Sequence, residues 1–206
     1  MTDSTNATDA DLFQRVIAGD EEAFTCLYRR RQGGLYRFAL HMTGSQAAAE
    51  DVTQDVFLAL MRQVDMYDPA RGSVAAYLYG IARNLIAKHL GRRTAVALPD
   101  EGDEGTWFIG AVTSADDDPL EELTRKETVE RVRQAIGTLP PHYREVVILC
   151  ELQDVDYLDA AAALGCPIGT VRSRLHRARA LLLKNLSASD PASVAVNTLE
   201  PARCLP

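Results

Sequence analysis

Closely spaced cysteines are missing from this chain. Cys26, Cys150, Cys166 and Cys204 stand far apart, whereas a zinc or redox motif needs paired thiols within a few residues. They are expected to be buried or incidental. No apolar run approaches the roughly 20 residues of a membrane span. The opening stretch from Thr2 to Asp11 is polar and acidic, unlike a secretion signal. The expectation is a cytoplasmic protein without membrane insertion. Phosphate-cradling glycine loops and nucleophile elbows are also lacking. His41, His89, His142 and His176 lack metal-ligand spacing, and the acid triplet Asp116-Asp117-Asp118 stands alone in an irregular stretch. No catalytic residue, cofactor or metal is therefore expected, and the protein is read as not an enzyme. An excess of positive charge is absent too: 22 basic and 29 acidic residues give −7, which argues against a uniformly basic nucleic-acid binder.

The total conceals a pattern. Residues 1–24 carry one base and six acids. Residues 25–93 carry ten bases and five acids, a balance of +5, and residues 125–186 carry ten bases and seven acids, a balance of +3. Between them, residues 94–124 hold nine acids and no base. Two basic blocks divided by an acidic connector point toward nucleic acid more than the net charge does. The 206 residues, 47% hydrophobic and 25% charged, suit one or two small soluble domains.

Strand-like alternation is scarce and no repeat of fixed period recurs, so the fold class is all-α. Helices are expected over Asp9 to Ala18, Glu21 to about Arg31 with Asp20 as its cap, and Leu35 to Met42. Ser45 is placed to cap a helix from Gln46 to about Val64, whose apolar stripe is Val52, Val56, Phe57, Leu60, Met61 and Val64. Tyr67 to Ser73 reads as a loop, and Val74 to Leu90 as a helix closed by Gly91-Arg92-Arg93. Periodicity is lost from Thr94 to Leu120. Helices return from Glu121 to Ile136, after Pro140-Pro141 (with Val146, Val147, Leu149 and Leu152), from Tyr157 to Leu164, and from the Gly165-Cys166-Pro167 turn to about Leu186. The expected units are 1–93, a flexible acidic linker over 94–120, a second helical unit over 121–186, and a disordered tail over 187–206.

The Tyr157 to Leu183 stretch has the form of a helix-turn-helix. At about 100° per residue, Val171, Leu175 and Ala178 form one stripe. Arg172, Ser173, His176 and Arg177 point away from it, with Arg174 and Arg179 on the flanks. Five bases and no acid lie between Gly165 and Leu186. Arginine suits this role because its planar fork makes paired hydrogen bonds to guanine edges and phosphates.

Here the sequence resembles a known family. Gly165-Cys166-Pro167-Ile168-Gly169-Thr170-Val171-Arg172-Ser173-Arg174-Leu175-His176-Arg177-Ala178-Arg179 looks like region 4.2 of extracytoplasmic-function RNA polymerase sigma factors, and Leu139 to Leu152 resembles region 4.1. Ala49-Glu50-Asp51-Val52-Thr53-Gln54-Asp55-Val56-Phe57-Leu58 resembles region 2.2, and Tyr67 to Ser73 followed by Tyr77 to Leu85 resembles regions 2.3 and 2.4. The chain departs from the family's pattern at Leu158-Asp159-Ala160-Ala161, and with Tyr77, Lys88 and Gly91 where Trp, Asp and Arg are usual.

The resemblance implies that Arg172, Ser173, Arg174, His176, Arg177 and Arg179 serve the minus-35 promoter element, and Arg71, Arg83, Asn84, Lys88, Arg92 and Arg93 the minus-10 element. Glu50, Asp51, Gln54, Asp55 and Phe57 would bind polymerase. The implied partners are core RNA polymerase, through the clamp helices of its largest subunit and the flap of the second-largest, promoter DNA, and an anti-sigma factor. The acidic connector, with Glu101, Asp103 and Glu104, would thread toward the polymerase active centre, and Trp107-Phe108-Ile109 within it is unusual for a tether. Weak DNA affinity is expected until polymerase separates the two domains. The alternative is a stand-alone helix-turn-helix regulator that binds duplex DNA without polymerase.

Overall fold

Each helix of the N-terminal unit begins at a residue able to satisfy the unpaired amides of a first turn. The computed structural model describes residues 7–96 and 119–188. Thr8 and Asp11 form a reciprocal capping box at the start of α1 (Asp9–Ile17). Asp20 accepts from the amides of Glu22 and Ala23, at 3.0 and 3.1 Å, and so starts α2 (Glu21–Thr43). Gly44, at φ +74°, ends α2, and Ser45 caps α3 (Gln46–Arg62). Short 3-10 turns at Val64–Met66 and Pro69–Arg71 lead to α4 (Val74–Val96). These helices bury Leu12, Phe13, Leu27, Phe38, Val56, Leu60 and Leu78 in one core. Asp9 ties α1 to α2 through ion pairs with Arg30 and Arg31.

The C-terminal unit contains α5 (Pro119–Gly137), α6 (Pro141–Val147), a π-helical turn (Ile148–Leu152), α7 (Tyr157–Leu164) and α8 (Ile168–Ala188). Its core is built from Ile136, Leu139, Val146, Ile148, Leu149, Leu164, Val171 and Leu175. No strand occurs among the described residues.

Two helix boundaries and the burial of one side chain differ from the sequence reading. Helix α2 runs unbroken through Gly33-Gly34, where two segments are expected. A Cβ at Gly34 would lie 2.7 Å from Tyr79 Oη and 3.2 Å from Gln153 Oε1, so close packing holds the helix in a sequence that locally favours a break. Gly91 does not close α4, which continues to Val96. Met61, expected on the apolar stripe of α3, is 57% exposed.

The two units pack directly together, with α7 lying on α4. Small residues allow the approach. A Cβ built at Gly72 would be 2.9 Å from the Ala162 Cβ, closer than side chains allow, while one at Gly80 would meet the Ala163 carbonyl oxygen at an ordinary contact distance of 3.5 Å. Ser73 donates from its backbone N–H and hydroxyl to the Asp159 carboxylate at 3.1 and 2.5 Å. Arg83 Nε donates to Glu145 at 2.8 Å, and Arg37 reaches Gln153 at 3.3 Å. The connector residues Glu101, Asp103, Glu104, Trp107-Phe108-Ile109 and Asp116-Asp117-Asp118 lie outside the described residues, as does the tail from 189 onward.

Candidate nucleic-acid and polymerase interface

Local chemistry sets the helix-turn-helix. Asp156 caps α7 by accepting from the amides of Leu158 and Asp159 at 2.8 and 2.9 Å. Gly165 closes α7 at φ +61°, a left-handed conformation that glycine adopts without a Cβ clash. Pro167 then precedes α8 and its carbonyl takes the first amide, from Thr170 at 2.8 Å. Val171, Leu175 and Ala178 are 0–2% exposed and fix the rotation of α8.

That rotation leaves Arg172, Ser173, His176, Arg177 and Arg179 exposed and Arg174 half-buried. The Ser173 hydroxyl donates back to the Thr170 carbonyl at 3.0 Å, which leaves its oxygen lone pairs facing outward. Arg179 is engaged within the chain by Glu151 at 2.5 Å. Arg172 and Arg177 have no ion-pair partner among the described residues, so they offer full cationic forks to solvent.

On the N-terminal unit, Arg71, Asn84 and Lys88 are exposed. Asn84 and Lys88 are four residues apart on α4 and so share a face. Arg83 turns aside, half-buried against Glu145 of α6. The side chains of Arg92 and Arg93 lie outside the described residues. Tyr79 is core, edge-on to Phe38 at 5.5 Å, and Tyr77 packs on Tyr67 at the same centroid distance.

Glu50, Asp51, Gln54 and Asp55 form an exposed face of α3. Phe57 departs from this group. It is 4% exposed and packed against Phe24 and Tyr28, so it shapes the helix from beneath and offers a partner no surface. Beside the acidic face stand Leu58 and Met61, 45% and 57% exposed, and Met66 at 70% lies beyond them. Sequence reasoning put Met61 in the core, because a helical period cannot show where a neighbouring helix stops covering the stripe. A groove of about 250 Å³ joins the two readings, since Asp51, Gln54 and Asp55 line it from α3 and Lys88 and His89 from α4. Cys26, Cys150 and Cys166 are half-buried and not joined in disulfides, and burial pushes Cys150 up to about 11, which keeps it protonated.

The family profile of sigma-70 region 2 matches residues 27–96, which contain α3 and α4. That of sigma-70 region 4 matches residues 129–182, which contain the helix-turn-helix. The RNA polymerase sigma-H factor of Pseudomonas aeruginosa is 33% identical over 88% of this chain and 95% of its own length. The ECF RNA polymerase sigma-E factor of Escherichia coli is 33% identical over 85% and 93%. The chain belongs to the ECF RNA polymerase sigma factors. A further 33%-identical relative, the ECF sigma factor SigE of Mycolicibacterium smegmatis, is longer, and this sigma factor spans 62% of it. Among solved structures it is similar to CnrH in complex with the cytosolic domain of CnrY, with a TM-score of 0.66 and 26% identity over 91% of this chain and all of that one. It is also similar to the RpoE–NepR sigma–anti-sigma complex of Bartonella quintana, with a TM-score of 0.58 and 25% identity over 77% of this chain and 93% of that one.

Proposed function

We propose that this sigma factor joins core RNA polymerase, directs it to promoters through minus-10 and minus-35 elements and promotes DNA melting. The N-terminal unit, 1–93, serves polymerase docking and minus-10 capture, and the unit at 121–186 serves minus-35 binding. The observation that carries the reading is α8, whose buried stripe turns Arg172, Ser173, His176 and Arg177 outward within a region 4 match. Arg172 and Arg177 would read base edges, while Arg174 and Arg179 would neutralise phosphates. On α4, Asn84 and Lys88 would meet the melted minus-10 strand, with Arg71 nearby for its phosphates. The α3 face of Glu50, Asp51, Gln54 and Asp55 would meet a basic surface of polymerase, with Leu58 and Met61 as apolar anchors beside it. Phosphoryl transfer belongs to polymerase.

Such action places the protein in the cytoplasm; none of the described helices is long and apolar enough to cross a membrane. Control by an anti-sigma factor is part of the same reading, supported by likeness to CnrH bound to CnrY and to the complex with NepR. Run-off transcription with core polymerase tests the proposal. Initiation at a promoter selected from a random library should require this chain, and equal initiation without it would refute the function.

A further inference from the structure

Four arginines of α2 belong to none of the assigned sites. Of the ten bases in residues 25–93, Arg71, Arg83, Lys88, Arg92 and Arg93 are assigned to the minus-10 strand. Arg29, Arg30, Arg31 and Arg37 instead lie on α2, and from Ala23 to Ala49 the chain carries no acid. Folding uses two of the four. Asp9 of α1 pairs with Arg30 at 2.8 Å and with Arg31, and Arg30 also donates to the Ala7 carbonyl at 2.9 Å. Arg29 and Arg37 are exposed, and neither has an ion-pair partner among the described residues. Arg37 reaches Gln153 in a long hydrogen bond of 3.3 Å.

At about 100° per residue, Arg29, Gln32, Gly33, Tyr36 and Arg37 fall within one arc of α2, opposite the buried Leu27, Leu35 and Phe38. Tyr36 is half-buried and supported by the core. Gly33 lies in the middle of the arc. Apart from the helix backbone, a Cβ there would meet only Arg37 Nη1, at 3.5 Å, so the face is open at its centre. Cations, an amide and an aromatic ring with no acid among them are the chemistry that holds single-stranded DNA, where charge neutralises phosphates and rings support bases. Helix α2 also packs directly beside α4, with Phe38 edge-on to Tyr79 at 5.5 Å. Two helix diameters, on the order of 20–25 Å, lead from the outer face of one helix to that of the other, a span that several nucleotides cover.

We propose that α2 carries a second single-strand track: Arg29 and Arg37 take phosphates of the melted strand beyond the minus-10 element, and Tyr36 supports a base between them. The inference rests on promoter melting and on α4 as the minus-10 face. Its added content is that strand separation is stabilised past that element by a helix that reads no sequence. The occupant is DNA because the opened strand is the polyanion that melting itself delivers next to α4.

The test uses holoenzyme containing the full chain and two fork-junction DNAs. In one, the single strand ends after the minus-10 element. In the other it runs on by about ten nucleotides, within the usual single-strand site size. Arg29→Gln with Arg37→Gln removes the charges. Gly33→Glu adds a negative charge to the track while replacing glycine with a better helix former, and Gly33→Ala is its neutral control. The doubly substituted chain should bind the extended fork about tenfold more weakly at low salt, with a salt slope shallower by about 1.4, the value for two single-strand phosphates. Gly33→Glu should weaken the extended fork in the same direction. Short-fork affinity should be unchanged in both, and Gly33→Ala should keep both affinities and melt at a higher temperature.

Unchanged extended-fork affinity in both charge variants would overturn the track and leave the face to an acidic protein surface. Equal loss on the short and extended forks, in variants that melt like the original chain, would overturn a separate track, since α2 would then act through the minus-10 site. Asn84→Ala with Lys88→Ala isolates the other reading. Unchanged short-fork binding in that variant would remove α4 as the minus-10 face, while the extended fork still judges α2.

Discussion

Removing Arg172 and Arg177 should separate DNA recognition from folding. Both side chains are exposed on α8, and neither has an ion-pair partner among the described residues. Their truncation to alanine should therefore move folding stability by less than about 0.5 kcal/mol. A lost base contact costs about 1–3 kcal/mol, so each substitution should weaken minus-35 binding roughly 5- to 150-fold. Arg179 provides the internal contrast. It is held by Glu151 in a pair whose side chains are 56% and 40% exposed, and pairs of this kind contribute about 0–1 kcal/mol. Glu151→Gln should free Arg179, tighten binding up to about fivefold, and steepen the slope of log affinity against log salt by about 0.9, the value for one further phosphate contact. The assay is fluorescence anisotropy of holoenzyme on a selected promoter duplex at several salt concentrations, with thermal melting of each variant alongside. Unchanged affinity in the doubly substituted Arg172→Ala, Arg177→Ala chain, or a fall of many degrees in its melting temperature, would refute the assignment of α8.

Other outcomes follow from packing and charge. Gly34→Ala should destabilise the fold despite a helix-propensity gain of up to about 1 kcal/mol, because its Cβ would meet the Tyr79 hydroxyl at 2.7 Å. Tyr79→Phe removes that atom and should restore or exceed the original stability in denaturant titration. Phe38→Ala empties a fully buried site against Tyr79 and should cost about 3–5 kcal/mol by the same measurement. His41 is 7% exposed. Burial first, and then the charges of Arg133, Arg144 and Arg37, lower its pKa to about 4 from 6.5. It stays neutral in the folded chain while the unfolded chain takes up a proton below 6.5, so stability should fall between pH 6.5 and 4. His41→Gln should flatten that fall in urea melts across the interval, and an unaltered pH slope would contradict the assignment to His41.

The sequence by itself determined the elements whose causes are local. Asp20 and Ser45 cap amides two or three residues away, so their helix starts are legible without neighbours. The outward set Arg172, Ser173, His176 and Arg177 follows from one helical period and one buried stripe, and charge counted by segment marks both basic units. Tertiary structure alone decided the rest. Gly34 lies inside a continuous helix because Tyr79 and Gln153 fill the space a side chain would take there. Phe57 is covered while Met61 is not, because the extent of a neighbouring helix is absent from a periodicity. Arg83 meets Glu145 across 62 positions, and Ser73 meets Asp159 across 86. The expectation of two units on a flexible tether missed that contact. Its components are small residues and ordinary surface charges, which carry no pattern of their own and acquire meaning when α7 comes to rest on α4.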